Sequence, residues 1–148
     1  KEINYKELSD QMSELGAKLI LDTLKLIENK KANFTEQNKA EATYAKKIEK
    51  TETKINWNDD AEKIIAKINA FSPNPGSWFD LNGNRIKIIK AKKVMSKGIP
   101  GTILDDYLTI ACSKNAIRII ELKKESKQKM TADEFLRGNK IKTGQSLN

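Results

Sequence analysis

Apolar residues recur at helical intervals along the first part of the chain. Leu8, Met12, Leu15, Leu19, Leu24 and Ile27 lie three to five residues apart, which places them on one face of an amphipathic helix predicted over residues 3–28. Asn4 is positioned to cap that helix, with Glu7 three residues on and Ile3 with Leu8 as a hydrophobic staple. The apolar face calls for a cover, either the sheet domain that follows or a larger domain outside the chain. Residues 29–41, NKKANFTEQNKAE, have no such period and read as a linker with Phe34 as its anchor. Residues 43–48, TYAKKI, fit either a short strand or an extended crossing.

Periodicity returns after Trp57. Asn58 is placed to cap a second helix, Asp59, Asp60 and Glu62 suit its positive end, and Ala61, Ile64, Ile65, Ile68 and Phe71 line one side for packing on a sheet. Trp57 adjoins that side and reads as core rather than as a base-stacking aromatic. Pro73 and Pro75 stop the helix, and Asn82-Gly83 is a strong signal for a two-residue hairpin turn. Short strands are predicted over 99–104, 108–112 and 116–122, with Asn115 suited to a positive φ in the turn between the last two. Ile117 and Ile119 face one way and Arg118 the other, until Ile120 interrupts the alternation. Residues 123–129, KKESKQK, read as a polar loop. Thr131 with Glu134 forms a capping box and Met130 with Phe135 a staple for a short helix that stops at Gly138. The tail is a loop or a final edge strand. Several short strands separated by turn chemistry predict a mainly β fold, a small barrel with short helices, preceded by a long N-terminal α-helix and linker. The expected divisions are 1–28, 29–44 and 45–148.

Charge changes the picture more than composition does. The net charge of +8 is unevenly placed: residues 1–44 carry 7 basic and 8 acidic side chains, residues 45–148 carry 21 and 12. Between Leu81 and Leu104 there is no acid, while the outgoing hairpin strand holds Arg85, Lys87, Lys90, Lys92 and Lys93. A basic strand surface of this kind points to a polyanion, because lysine and arginine release counterions from phosphates. The plainer explanation is compositional. Lys, Ile and Asn fill 56 of 148 positions and only three basic residues are arginine, so most lysines read as ordinary solvated surface. The absence of histidine rules out histidine-based metal sites and general bases, and the single Cys112 rules out an intrachain disulfide. No metal is expected. No apolar run approaches a membrane span and the start carries no signal-peptide pattern. The start also lacks methionine, as a fragment or processed chain would.

An ordered set of segments, ATYAKKI (42–48), INW (55–57), AFSPNPGSW (70–78), PGTI (100–103) and KMTADEFLRG (129–138), resembles the C-terminal part of the methionyl-tRNA formyltransferase family. ELGAKLILDTL (14–24) is similar to the last helix of that family's catalytic domain. The resemblance covers essentially the whole chain. It implies an open OB-like barrel whose basic face helps to hold initiator methionyl-tRNA, in a cytoplasmic enzyme that is monomeric when full length. The parent enzyme would use 10-formyltetrahydrofolate as formyl donor, with none bound to this chain. The family's catalytic Asn, His and Asp belong to an N-terminal domain whose motifs find no match here. The expected tRNA-facing residues are Arg85, Lys87, Lys90, Lys92 and Lys93, then Lys46 and Lys47 at the linker exit. Lys127 joins them where the family has a Gly-Lys-Lys turn, with Ser126 and Gln128 replacing two of its members. A second possibility keeps the fold as a structural domain in a folate-dependent formyltransferase acting on a small substrate. A third, a free-standing single-strand-binding module, is disfavoured because the outgoing basic strand has no aromatic residue.

Overall fold

The computed structural model describes residues 3–147. Lys6–Ile48 form one compact unit, and Glu49–Asn148 make up the body of a second.

In the first unit, helix α1 (Tyr5–Glu28) begins directly after Asn4, and none of its residues is buried. It closes with Lys30 at φ 56° while the Lys30 and Lys31 amides donate to the Ile27 and Leu26 carbonyls. That is the paired closure by which a left-handed residue satisfies the last carbonyls of a helix. Phe34 is 84% exposed, so the expected anchor of the linker is not one. Residues 43–48 form no strand, and the segment's regular structure is a single 3-10 turn over Lys39–Glu41 capped by the Asn38 side chain.

The second unit is a curled, open antiparallel sheet with two helices. Helix α2 (Ala61–Phe71) is followed by strands β1 (Ser77–Leu81), β2 (Asn84–Val94), β3 (Thr109–Ala111), β4 (Ala116–Lys124) and β5 (Lys129–Thr131), then by helix α3 (Ala132–Arg137). The strand order is β1-β2-β4-β3, and β5 lies beside β4 on the same side as β3, further along. The cap of α2 is Asp60, whose carboxylate accepts from the Lys63 amide at 2.7 Å, not Asn58. Aspartate and asparagine serve equally there, so three consecutive candidates left the position open by two residues.

Ile64, Ile65 and Ile68 of α2 pack on Phe79, Leu81, Ile86, Ile88, Ile117, Ile119 and Leu122 from the sheet, and Phe135 of α3 joins them. Trp57 is buried in this core, edge-on to Phe79 with ring centroids 5.8 Å apart. The hairpin turn is as expected: Asn82 and Gly83 both take positive φ, and the Asp80 carboxylate accepts from the Gly83 amide at 2.8 Å. The Thr131–Glu134 capping box is present. The stretch 123–129 is shorter as a loop than its polarity predicted, because β4 runs on to Lys124 and β5 begins at Lys129. Polar residues can form strands where one side of the sheet faces water.

Candidate nucleic-acid interface

One irregularity decides which cations share a face. Ile86 pairs with Lys124 and Ile88 with Leu122, but Lys90 pairs with Glu121 and Ala91 with Ile119, so the register slips between Ile88 and Ala91 and then recovers. Before the slip the buried residues of β2 are the even ones, Ile86 and Ile88; after it the buried residue is Ala91. Strict alternation would have put Arg85, Lys87 and Lys93 on one face and Lys90 and Lys92 on the other. The slip instead gathers Arg85, Lys87, Lys90 and Lys92 on the outer face and turns Lys93 to the α2 side, where it stays exposed and its ammonium lies 2.6 Å from Glu62 of α2. That hydrogen bond is the main reason the Glu62 carboxyl is held below its ordinary value.

The outer face also carries residues that sequence reasoning missed. Lys87 stands opposite Trp78 of β1 on one side and Lys123 of β4 on the other, and Lys123 in turn stands opposite Lys129 of β5. Lys54 bridges to Trp78 at the β1 edge. The Trp78 ring has the Arg85 guanidinium 4.2 Å from its centroid and the Lys54 ammonium at 5.6 Å, both within cation–π range. Lys123 and Lys129 were legible as basic residues, but only the strand pairing sets them beside Lys87.

Two acids stand near this group. Glu121 lies opposite Lys90 and accepts from Lys129 at 3.1 Å, while Asp80 lies opposite Arg85 and braces the hairpin turn. Among the described residues, Lys54, Lys87 and Lys123 form no ion pair.

Further along β4, Arg118 stands between Lys92 and Thr109 and is fully engaged. Its guanidinium donates to the Asp105 carboxylate and the Thr109 hydroxyl at 2.9 Å each, and lies 5.0 Å from the Tyr107 ring centroid. Asp105 accepts in addition from the Thr109 hydroxyl and the Tyr107 and Thr109 amides. Partial burial pushes the Asp105 carboxyl up, but the Thr109 hydroxyl, the two amides and Arg118 together hold it below its usual value.

Lys127 sits in the β4–β5 turn, its amide donating to the Lys124 carbonyl at 3.2 Å. Lys46 and Lys47 are exposed and belong to the first unit. Nothing in the sheet unit offers an activated nucleophile at the one cysteine: burial, with smaller contributions from Asp60 and Glu62, pushes the Cys112 thiol up to about 11. Among the described residues, no cluster of three or more His, Cys, Asp or Glu is arranged to hold a metal ion, and no helix is long and apolar enough to cross a membrane.

A curled open antiparallel sheet with short helices and a lysine-bearing outer face defines a small, mainly β domain. Residues 47–140 match the formyl transferase C-terminal domain, and the chain belongs to that family. It is 40% identical over 142 residues to the methionyl-tRNA formyltransferase of Bradyrhizobium diazoefficiens, covering 93% of this chain and 46% of that protein. To the enzyme of the same name from Paramagnetospirillum magneticum it is 40% identical over 141 residues, covering 95% and 46%. The chain thus spans about half the length of the curated relatives it matches. Among solved structures, a variant of HypX from Aquifex aeolicus is similar with a TM-score of 0.72 at 21% identity, over 92% of this chain and 26% of HypX. HypX in complex with tetrahydrofolic acid gives 0.64 at 23%, over 85% and 26%. These likenesses establish a shared fold.

Proposed function

We propose that this chain is the tRNA-binding C-terminal portion of a methionyl-tRNA formyltransferase, a cytoplasmic enzyme that formylates the methionine amino group on initiator tRNA. The observation that carries the reading is the outer face of the sheet, where the register slip gathers Arg85, Lys87, Lys90 and Lys92 beside Lys123. Their role is to position the tRNA through its phosphates, which fixes orientation without reading sequence. Lys46, Lys47 and Lys127 supply further contacts. The formyl donor, 10-formyltetrahydrofolate, is a substrate held by a catalytic region that these residues do not include, since the chain contains no histidine to serve as the family's catalytic one. Divisions at 28 and 44 then separate the end of that catalytic domain and a linker from the tRNA-binding domain.

The test is binding of an initiator tRNA transcript to the chain between 50 and 200 mM salt. Neutralising about three to five phosphates gives a log–log slope of about −2 to −4.5, and the chain alone should show no formyl transfer. A chain that binds tRNA with no salt dependence, or not at all, would favour the structural-domain reading, in which the parent enzyme acts on a small substrate.

A further inference from the structure

The outer-face cations are not an even patch. Lys54, Trp78, Lys87, Lys123 and Lys129 are successive register partners on five adjacent chain segments, so they form one row at right angles to the strands. Strands lie about 4.8 Å apart, so four such steps span about 19 Å. Neighbouring charges in the row sit well inside the Debye length of about 10 Å at 0.1 M salt, so they act as one line of charge. The rows to either side are different. On one side Asp80 stands opposite Arg85, and on the other Glu121 stands between Lys90 and Thr131. A polyanion moving along the strands meets a carboxylate after one step in either direction, while one moving across the strands meets Trp78 and lysines, with a carboxylate, Glu121, reaching the row at its Lys129 end. Directly opposed like charges destabilise a sheet, and Lys87, Lys123 and Lys129 are held in that relation with Glu121 tied to Lys129 alone. At its β1 end the row borders a cleft of ≈ 770 Å³ whose charged lining is mixed, Lys54, Lys63 and Lys67 with Asp59 and Asp80. The Lys67 ammonium is anchored there by the Lys54 carbonyl at 2.7 Å.

We infer that a ribose-phosphate backbone crosses the sheet at right angles to its strands, along the row Lys54–Trp78–Lys87–Lys123–Lys129. Trp78 is a positioning residue, holding Lys54 and Arg85 over its ring at the β1 edge. The cations of β2 that lie off the row, Lys90 and Lys92, are secondary. This rests on the tRNA-binding reading and adds the path.

The experiment compares two double variants of the 148-residue chain, binding the same initiator tRNA transcript across a salt series. Lys87→Gln with Lys123→Gln removes two charges of the row and keeps much of each stem. Lys90→Gln with Lys92→Gln removes two charges of the same face off the row. The row variant should flatten the salt slope by about 1.4 to 1.8 units, at about 0.7 to 0.9 per lost phosphate contact, and the off-row variant by less than half as much. Because the row repels itself, the row variant should also melt higher than the parent chain, which an accidental array of solvated lysines already relaxed by water would not produce. Equal flattening by the two variants, or more by the off-row pair, overturns the path and leaves tRNA binding standing. If the parent chain shows no salt-dependent binding, the functional reading falls and the path with it. A row variant that binds as the parent does and melts lower overturns the path as well.

Discussion

Arg118 and Lys123 lie on the same strand, face the same side, and each stands beside another cation, Lys92 in one case and Lys87 in the other. Their surroundings are opposite. Around Arg118 the chain has built a closed set: the Asp105 carboxylate, the Thr109 hydroxyl and the Tyr107 ring. Asp105 accepts three further bonds that pin the turn before β3, and that turn holds Leu108 at φ 57°. A bulky residue is rarely found in that region, and it persists only where neighbouring contacts over-determine it. Around Lys123 nothing comparable exists among the described residues. One end of β4 thus uses its cation to hold the fold; at the other, Lys124 donates to Asn139 while Lys123 forms no ion pair among the described residues.

Removing Asp105 should break the closed end, and it is the largest effect we expect. Asp105→Ala deletes several charge-assisted hydrogen bonds and leaves Arg118 without its carboxylate, a loss of about 2–4 kcal/mol. For a domain of this size that lowers Tm by about 10 °C, measurable by thermal melting. The sign with pH follows from the direction of the Asp105 shift. A carboxyl held below its unfolded value stabilises fully above that value, and the contribution disappears as pH falls through the lower folded one. Asp105→Asn should therefore flatten the acid limb of the stability profile. A variant that melts like the parent at pH 7 and keeps the same acid limb would show that the two ends of β4 do not differ as described.

The next test concerns Lys93, which lies on the same strand as Lys87 but reaches Glu62 on the inner side. Lys87→Ala should reduce the tRNA salt slope by about 0.7 to 0.9, the value of one phosphate contact, and Lys93→Ala should leave it unchanged. Equal reductions would mean that the sheet face and carboxylate pairing do not separate these cations. A smaller effect is expected from Glu121→Gln. It frees Lys129 from its 3.1 Å partner and removes an acid flanking the row, so the slope should steepen by about half a contact or more. A flatter slope would mean that Glu121 orders Lys129 for binding instead of competing for it.

How much of this was open to reading depends on the element. α1 and α2 carry the same helical pattern, and both were legible as helices, yet α2 buries Ile64, Ile65 and Ile68 while α1 buries nothing. Periodicity reports that a face is apolar; it does not report what lies against it. The hairpin turn, the Asn115 turn and the Thr131 cap were legible because each rests on chemistry within four residues. The basic face was legible only as a set of charges. Its sorting depends on the register slip, whose one local trace is a pair of apolar doublets, Ile88-Ile89 and Ile119-Ile120, that break alternation on the two strands where they meet. Lys54, Lys123 and Lys129 could not be joined to Lys87 without the pairing, since they are distant in sequence. The capping of α2 by Asp60 instead of Asn58 is an ambiguity of equivalent residue types.

The smallest expected effect tests whether the open end is under local strain of its own. Ser126 in the β4–β5 turn has φ 58°, the left-handed region. A residue with a Cβ is disfavoured there by about 1–2 kcal/mol, which glycine avoids. The family resemblance places glycine at this position, and the turn geometry supplies a physical reason for it. Glycine also gains freedom in the unfolded chain, which offsets part of the benefit. Ser126→Gly should then stabilise the chain by about 0.5 kcal/mol net, a rise in Tm of about 2 °C. Because Ser126 carries no charge and Lys127 remains in place, the tRNA salt slope should not move. A slope that flattened while Tm rose would show that the serine turn holds Lys127 in a binding position. The β4–β5 turn would then belong to the interface itself, and the divide between the two ends of β4 would lie further along the strand than Lys123.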